Sequence, residues 1–239
     1  MKTLLKSAAL VCLSLLVFSC NTEKKIELFN GQNLDNWNII VDSEDGEPKD
    51  LFFVEDGVLN TIGDPFGYIR TKDSYSNYTL HLEWRWTDEP SNSGVLLNVQ
   101  GEERIFPQCV ECQLMSGKAG DIVLMGKGTT ITIKDSTYMV TSEEHRYLGI
   151  TKYEESSEKP AGEWNKIELT VYKGTVVHNQ NGENVVEYHL WTPEWNEMVA
   201  DSKFPALNPE WADVPAKGYI GLQDHGDDVW FRNIKIKEQ

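Results

Sequence analysis

From Thr79 to Trp86 the chain alternates strictly. Leu80, Leu82, Trp84 and Trp86 are apolar, and His81, Glu83 and Arg85 between them are polar. A period of two marks a strand that lays one face on a core. Ile167, Leu169 and Val171 repeat it against Lys166, Glu168 and Thr170. Residues 176–178 and 185–190 predict a hairpin, with Asn181-Gly182 supplying the left-handed residues of its turn. Residues 51–60 read strand, Asp56-Gly57 turn, strand. Further short strands are expected at 67–71, 95–100, 106–115, 121–125, 129–134, 217–222 and 229–237. Residues 26–37 open the domain with an extended piece and a turn at Gly31, and 42–50 form an acidic loop. Residues 136–160 and 191–215 show no period and are expected to be irregular, the second with one helical turn near 194–198. Many short strands and no helix of length predict an all-β domain, a β-sandwich of two antiparallel sheets.

The N-terminus stands apart from this pattern. Lys2 and Lys6 precede an apolar run over residues 8–18, then Ser19 and Cys20. That is the layout of a secretory signal, and the run is too short to span a bilayer. Leu16-Val-Phe-Ser-Cys20 resembles a bacterial lipobox. Residues 1–19 are therefore expected to be a lipoprotein signal peptide, Cys20 the lipidated first residue, 20–25 a tether and 26–239 a single domain. The membrane is then a partner only through the lipid. The expected location is the bacterial cell envelope, facing the periplasm, because no strongly acidic run follows Cys20.

Charge narrows the partners. The formal net charge is −16, and loss of Lys2 and Lys6 makes it more negative. Such a surface repels phosphate backbones, so nucleic acid is excluded as a partner class. Cys109 and Cys112 form a C-x-x-C inside a strand-like run. Three residues of strand cover roughly 10 Å and put the two side chains on opposite faces. A disulfide needs Cα atoms within about 7 Å. The two are read as separate apolar thiols.

The densest polar chemistry lies in Gly221-Leu-Gln-Asp-His-Gly226, where Gln223, Asp224 and His225 sit between two glycines and between two apolar runs. Parity adds candidates. Glu83 and Arg85 share the polar face of their strand, Cys109, Glu111 and Gln113 share one face of theirs, and Gln223 opposes Ile220 and Leu222. If those strands are neighbours, Glu83, Arg85, Glu111, Gln113 and Gln223 form one polar sheet face. Carboxylates, amides and a guanidinium hydrogen-bond sugar hydroxyls well, whereas a solvated outer sheet face has the same composition. Asn92-Ser93-Gly94 reads as a polar turn between strands.

Seven motifs in order resemble the 3-keto-disaccharide hydrolase family. They are Leu28-Phe-Asn-Gly31 with Leu34 and Trp37, Val54-Glu-Asp-Gly-Val-Leu59, Leu82-Glu-Trp-Arg85, Asn92-Ser-Gly-Val95, Glu111-Cys-Gln113, Gly162-Glu-Trp-Asn165 and Gly221-Leu-Gln-Asp-His-Gly226 with Phe231-Arg-Asn-Ile234. The resemblance implies a concanavalin-like jelly roll with its ligand on the concave face. It also implies cleavage of glycosides whose sugar carries a ketone at carbon 3. That chemistry needs a base for the hydrogen on carbon 2, an acid for the leaving oxygen, and donors or a metal at the enolate oxygen. On this basis Glu111 or His225 is expected as base, with the other as acid. Asp224 is expected to orient His225 or to hold a divalent cation; no other cofactor is implied. Glu83, Arg85, Asn92, Ser93, Gln113 and Gln223 are expected to position the carbohydrate. The alternative is a non-catalytic carbohydrate-binding sandwich on the cell envelope.

Overall fold

The structure is a computed structural model that describes residues 25–41, 51–63, 66–126, 129–133, 136–141, 147–150, 156–190, 217–226 and 228–239. The signal segment, Cys20, the tether up to residue 24, the 42–50 loop and the 191–215 stretch lie outside the described residues. The described residues form seventeen strands. The first nine are β1 Lys25–Glu27, β2 Trp37–Val41, β3 Phe52–Glu55, β4 Val58–Thr61, β5 Gly67–Thr71, β6 Tyr78–Trp86, β7 Ser93–Gln100, β8 Gln108–Gln113 and β9 Ile122–Met125. The rest are β10 Thr130–Ile133, β11 Ser136–Met139, β12 Tyr147–Ile150, β13 Asn165–Tyr172, β14 Thr175–Gln180, β15 Glu183–His189, β16 Tyr219–Asp224 and β17 Val229–Glu238.

They build the expected sandwich of two antiparallel sheets. A ten-stranded sheet runs β11-β10-β15-β14-β13-β6-β17-β4-β3, with β1 added to β17; a seven-stranded sheet runs β12-β9-β8-β7-β16-β5-β2. β6 lies between β13 and β17, and its Leu80, Leu82, Trp84 and Trp86 are fully buried. The two indole rings meet edge to face at 5.6 Å. From the other sheet Val95, Leu97, Val110, Cys112, Ile122, Leu124, Ile220 and Leu222 enter the same core. A buried aliphatic side chain of this size contributes about 1.5–3 kcal/mol.

Tight turns close three hairpins. Asp56-Gly57, Lys173-Gly174 and Asn181-Gly182 all have positive φ at both residues, the conformation that matches the twist of the flanking strands. Cys109 and Cys112 are free, buried and on opposite faces of β8. Cys112 belongs to the main core. Cys109 joins Ile40, Tyr68, Leu96, Val99 and Met125 in a smaller apolar cluster on the other side of the seven-stranded sheet, covered by Ile105, Phe106 and Tyr219.

Two expectations are corrected. Residues 136–160 are not wholly irregular: β11 and β12 fall there, each at one end of a sheet. An end strand pairs on one side only and tolerates polar composition, which hides its period. Asn92-Ser93-Gly94 is not a turn throughout, since Ser93 and Gly94 begin β7. β16 and β17 belong to different sheets. The Asp224-His225-Gly226 stretch is therefore part of a crossing at the rim of the sandwich.

Candidate active site

Cross-strand register gathers polar residues among the apolar ones on the outward side of the seven-stranded sheet. Glu111 on β8 pairs with Leu96 on β7, Leu96 with Gly221 on β16, Gly221 with Arg70 on β5, and Arg70 with Asn38 on β2. The adjacent row on the same face runs Gln113, Gly94, Gln223, Tyr68 and Ile40. Directly paired residues point to the same side of a sheet. Glu111, Gln113 and Gln223, expected to share a face, therefore do share one.

Glu111 dominates this surface. It is 2% exposed, and its Oε1 has no hydrogen-bond partner among the described residues. Burial without a compensating partner favours the neutral acid. Its pKa is pushed up to about 8 by desolvation alone. The space it occupies is provided by Gly94, where a Cβ would overlap the Glu111 carboxyl. The carboxyl thus lies over Gly94, whose cross-strand neighbours are Gln113 and Gln223. A carboxyl whose pKa falls near the working pH exchanges protons readily in either direction.

The rim cluster divides by role. Asp224 is buried, and its two carboxylate oxygens accept from the backbone N–H of Gly63 at 2.8 Å and of Gly226 at 3.1 Å. Those bonds hold the rim turn against the 62–63 segment. His225 is exposed, one residue past the end of β16, and stands edge-on to Phe66 with ring centroids 4.9 Å apart. Ser93 is buried and donates through Oγ to the Gln223 carbonyl at 2.7 Å, fastening β7 to β16. Gln113 accepts through Oε1 from the N–H groups of Leu114 and Met115 at 2.9 and 3.0 Å. Asn92, two residues before Gly94, carries a buried Oδ1 without a partner among the described residues. Among the described residues, no group of three or more His, Cys, Asp or Glu side chains is gathered to hold a metal ion.

Glu83 and Arg85 are not part of this surface. β6 lies in the ten-stranded sheet, so its polar face is on the opposite side of the sandwich. There Glu83 accepts from Arg232 at 2.7 Å and from Asn233 at 3.0 Å. The Arg85 guanidinium stacks over Trp230 at 4.2 Å and Trp164 at 4.8 Å, and Arg232 stacks over Trp164 at 3.9 Å. These contacts complete a solvated outer face. Parity correctly placed Glu83 and Arg85 together but carried no information about which sheet they join.

Two residues of the site were missed. Tyr68 and Arg70 share a face of β5, both nearly buried. The Tyr68 hydroxyl has no partner among the described residues, and burial pushes its pKa up to about 12, so it stays protonated. The 101–107 connection between β7 and β8 folds back over this part of the sheet. Its Glu103 accepts from Arg70 at 2.8 Å, and its Phe106 ring lies 5.4 Å from that of Phe66. The available signal was a charged residue, Arg70, inside the short strand Gly67-Tyr-Ile-Arg-Thr71.

Comparison with known proteins follows from this geometry. Residues 24–237 match the sequence profile of the 3-keto-alpha-glucoside-1,2-lyase-like domain. A curated protein of Bacteroides thetaiotaomicron named 3-keto-disaccharide hydrolase is 31% identical over 243 aligned residues, covering 89% of this chain and 77% of its own. Two solved structures of glycosyl hydrolase candidates from Parabacteroides distasonis share the fold. One has a TM-score of 0.61 at 24% identity, covering 90% of this chain and 94% of its own. The other has a TM-score of 0.57 at 26% identity, covering 90% of this chain and 100% of its own.

Proposed function

Because the chain belongs to the 3-keto-alpha-glucoside-1,2-lyase-like domain family, we propose that it is an enzyme that cleaves the glycosidic bond of 3-keto-disaccharides and related 3-keto-glycosides. The observation that carries this reading is the buried, unpartnered Glu111 carboxyl over Gly94, with its pKa raised to about 8.

The ketone at carbon 3 acidifies the hydrogen on carbon 2. The Glu111 carboxylate takes that proton, and the C–H electron pair forms the enolate. The enolate expels the glycosidic oxygen from carbon 1, leaving an unsaturated keto sugar and a free alcohol. Water then adds across the double bond, its proton going to carbon 2 and its oxygen to carbon 1. The site needs no second carboxylate, unlike hydrolysis through an oxocarbenium-like state. His225, exposed at the rim beyond Gln223, is assigned the protonation of the leaving oxygen. Asp224 supports it indirectly through the backbone bonds that fix the turn. Gln113, Asn92 and Gln223 are assigned to the hydroxyls of the oxidised sugar, and Ser93 keeps β7 and β16 in register beneath them.

The test is incubation of the purified protein with a disaccharide and with its 3-keto form, with products read by mass spectrometry. Release of 3-keto-glucose from the oxidised sugar, abolished in Glu111→Gln, is expected. Thermal stabilisation by the sugar without product would instead identify a carbohydrate-binding module. The reading includes attachment to the cell envelope through a lipid on Cys20, on the periplasmic side. Cys20→Ser is expected to move the protein from the membrane fraction to the soluble one.

A further inference from the structure

Arg70 is built into the sheet in an unusual state. It is 8% exposed. One nitrogen, Nη2, is fixed by Glu103 at 2.8 Å, and its guanidinium carbon sits 4.5 Å from the centroid of the Tyr219 ring. The remaining nitrogens, Nε and Nη1, are buried and have no partner among the described residues. An unmet buried donor is costly, so a purely structural arginine would have its fork filled. Tyr68, next on the same face, adds a third buried and unpartnered group, a protonated phenol. The three polar groups lie on the same sheet face as Glu111, separated from it by Gly221 and Leu96. Strands lie about 4.8 Å apart, so three spacings set the Arg70 and Glu111 Cα atoms about 14 Å from each other. That span is wider than one sugar ring.

We propose that Arg70, with the Tyr68 hydroxyl, is the recognition site for the second sugar of the substrate, the unit that departs when Glu111 acts on the oxidised one. This rests on the glycoside-cleaving reading above. Glu103 already balances the guanidinium charge, so the ligand is a neutral hexose whose oxygens accept hydrogen bonds rather than an acidic sugar. A planar fork with a stacked face and one anchored nitrogen is immobilised before the sugar arrives, which keeps the entropic cost of recognition low.

Arg70→Lys keeps the charge and loses the fork, and Tyr68→Phe removes only the hydroxyl. Each variant, with folding checked by circular dichroism melting, is assayed on a 3-keto-disaccharide and on methyl 3-keto-glucoside, whose departing group is methanol. The ratio of kcat/KM for disaccharide over methyl glycoside is expected to fall at least about tenfold in Arg70→Lys and less in Tyr68→Phe, mainly through KM. Equal loss on both substrates, or no loss on either, overturns the proposal. Calorimetric titration of wild type and Arg70→Lys with the disaccharide separates it from the assignment of activity. If wild type binds without cleaving and Arg70→Lys binds at least about tenfold more weakly, the recognition site stands and the catalytic reading falls. If the two bind equally, the recognition site falls.

Discussion

Replacing Gly94 by alanine tests the candidate site where it is tightest. Gly94 has no left-handed φ, so alanine fits its backbone. On that ground alone the substitution stabilises by about 0.4–1 kcal/mol, by narrowing the unfolded ensemble. The obstacle is local: the new Cβ overlaps the Glu111 carboxyl. That carboxyl ends a flexible side chain, so it is displaced while the strand stays in place. Overpacking typically costs about 1–3 kcal/mol, and the backbone gain offsets part of it. Catalysis has no such offset, because a positioned general base contributes about 10²–10⁴-fold. Gly94→Ala is therefore expected to lower kcat by at least about a hundredfold while Tm moves by a few degrees. Steady-state kinetics across the Glu111 pKa of about 8 provide the second readout. Wild-type kcat/KM should rise with pH and level off above that value as the carboxylate forms. In Gly94→Ala the displaced carboxyl titrates nearer its ordinary range, so the remaining activity should lose that rise. A variant with wild-type kcat and an unchanged pH profile would mean that the carboxyl does not work from its place over Gly94.

The pH dependence of stability follows from the same residue. Its folded pKa is raised from 4.5 to about 8, so the folded state retains a proton that the unfolded chain releases. Stability is full below the lower value and is lost as pH climbs toward the upper one. Relative to wild type, Glu111→Gln should gain stability across that window, by up to about 1.4 kcal/mol per pH unit, measured by urea unfolding at stepped pH. His178 works in the opposite sense. Its ring is fully buried in the core and its pKa is lowered to about 4 by desolvation. The unfolded chain takes up a proton first, so stability falls as pH drops from 6.5 toward 4. In His178→Gln this acid-side slope should vanish, whatever its starting stability. Glu83→Gln should keep kcat/KM within about twofold and cost at most about 1 kcal/mol, since its pair with Arg232 is partly exposed; a large loss of activity would return Glu83 to the site. Asp224→Ala should cost about 1–3 kcal/mol for the buried Gly63 N–H it leaves unpaired, and less for that of exposed Gly226, which water can reach, seen as a lowered Tm.

The fold was legible because several strands alternate. β6 and β13 carry one residue in two into the core, and their polar residues face water. Such a pattern announces both the strand and its buried side. It does not announce the partner strand, because pairing is set by contacts distant in sequence. Glu83 and Glu111 therefore looked alike as polar members of a strand face, although β6 and β8 lie in different sheets. The Asp224-His225 cluster drew notice as a local concentration of polar groups, yet Asp224 proves to hold a turn.

The signal that separates site from surface lies in the strands that do not alternate. β5, β7, β8, β9 and β16 are buried along nearly their whole length on both faces. In an alternating strand a charged residue is explained by the water beside it. In a strand covered on both sides no water is available, and burying an ionisable group costs several kcal/mol unless something compensates. Glu111 between Val110 and Cys112, and Arg70 between Ile69 and Thr71, are such cases, and each keeps polar atoms without a partner among the described residues. Gly94 points the same way, since a glycine inside a buried strand sacrifices packing unless another group needs the room. Ionisable residues and glycines that interrupt doubly buried strands thus mark the site, whereas the polar residues of the cleanest alternating strand mark its solvated opposite face.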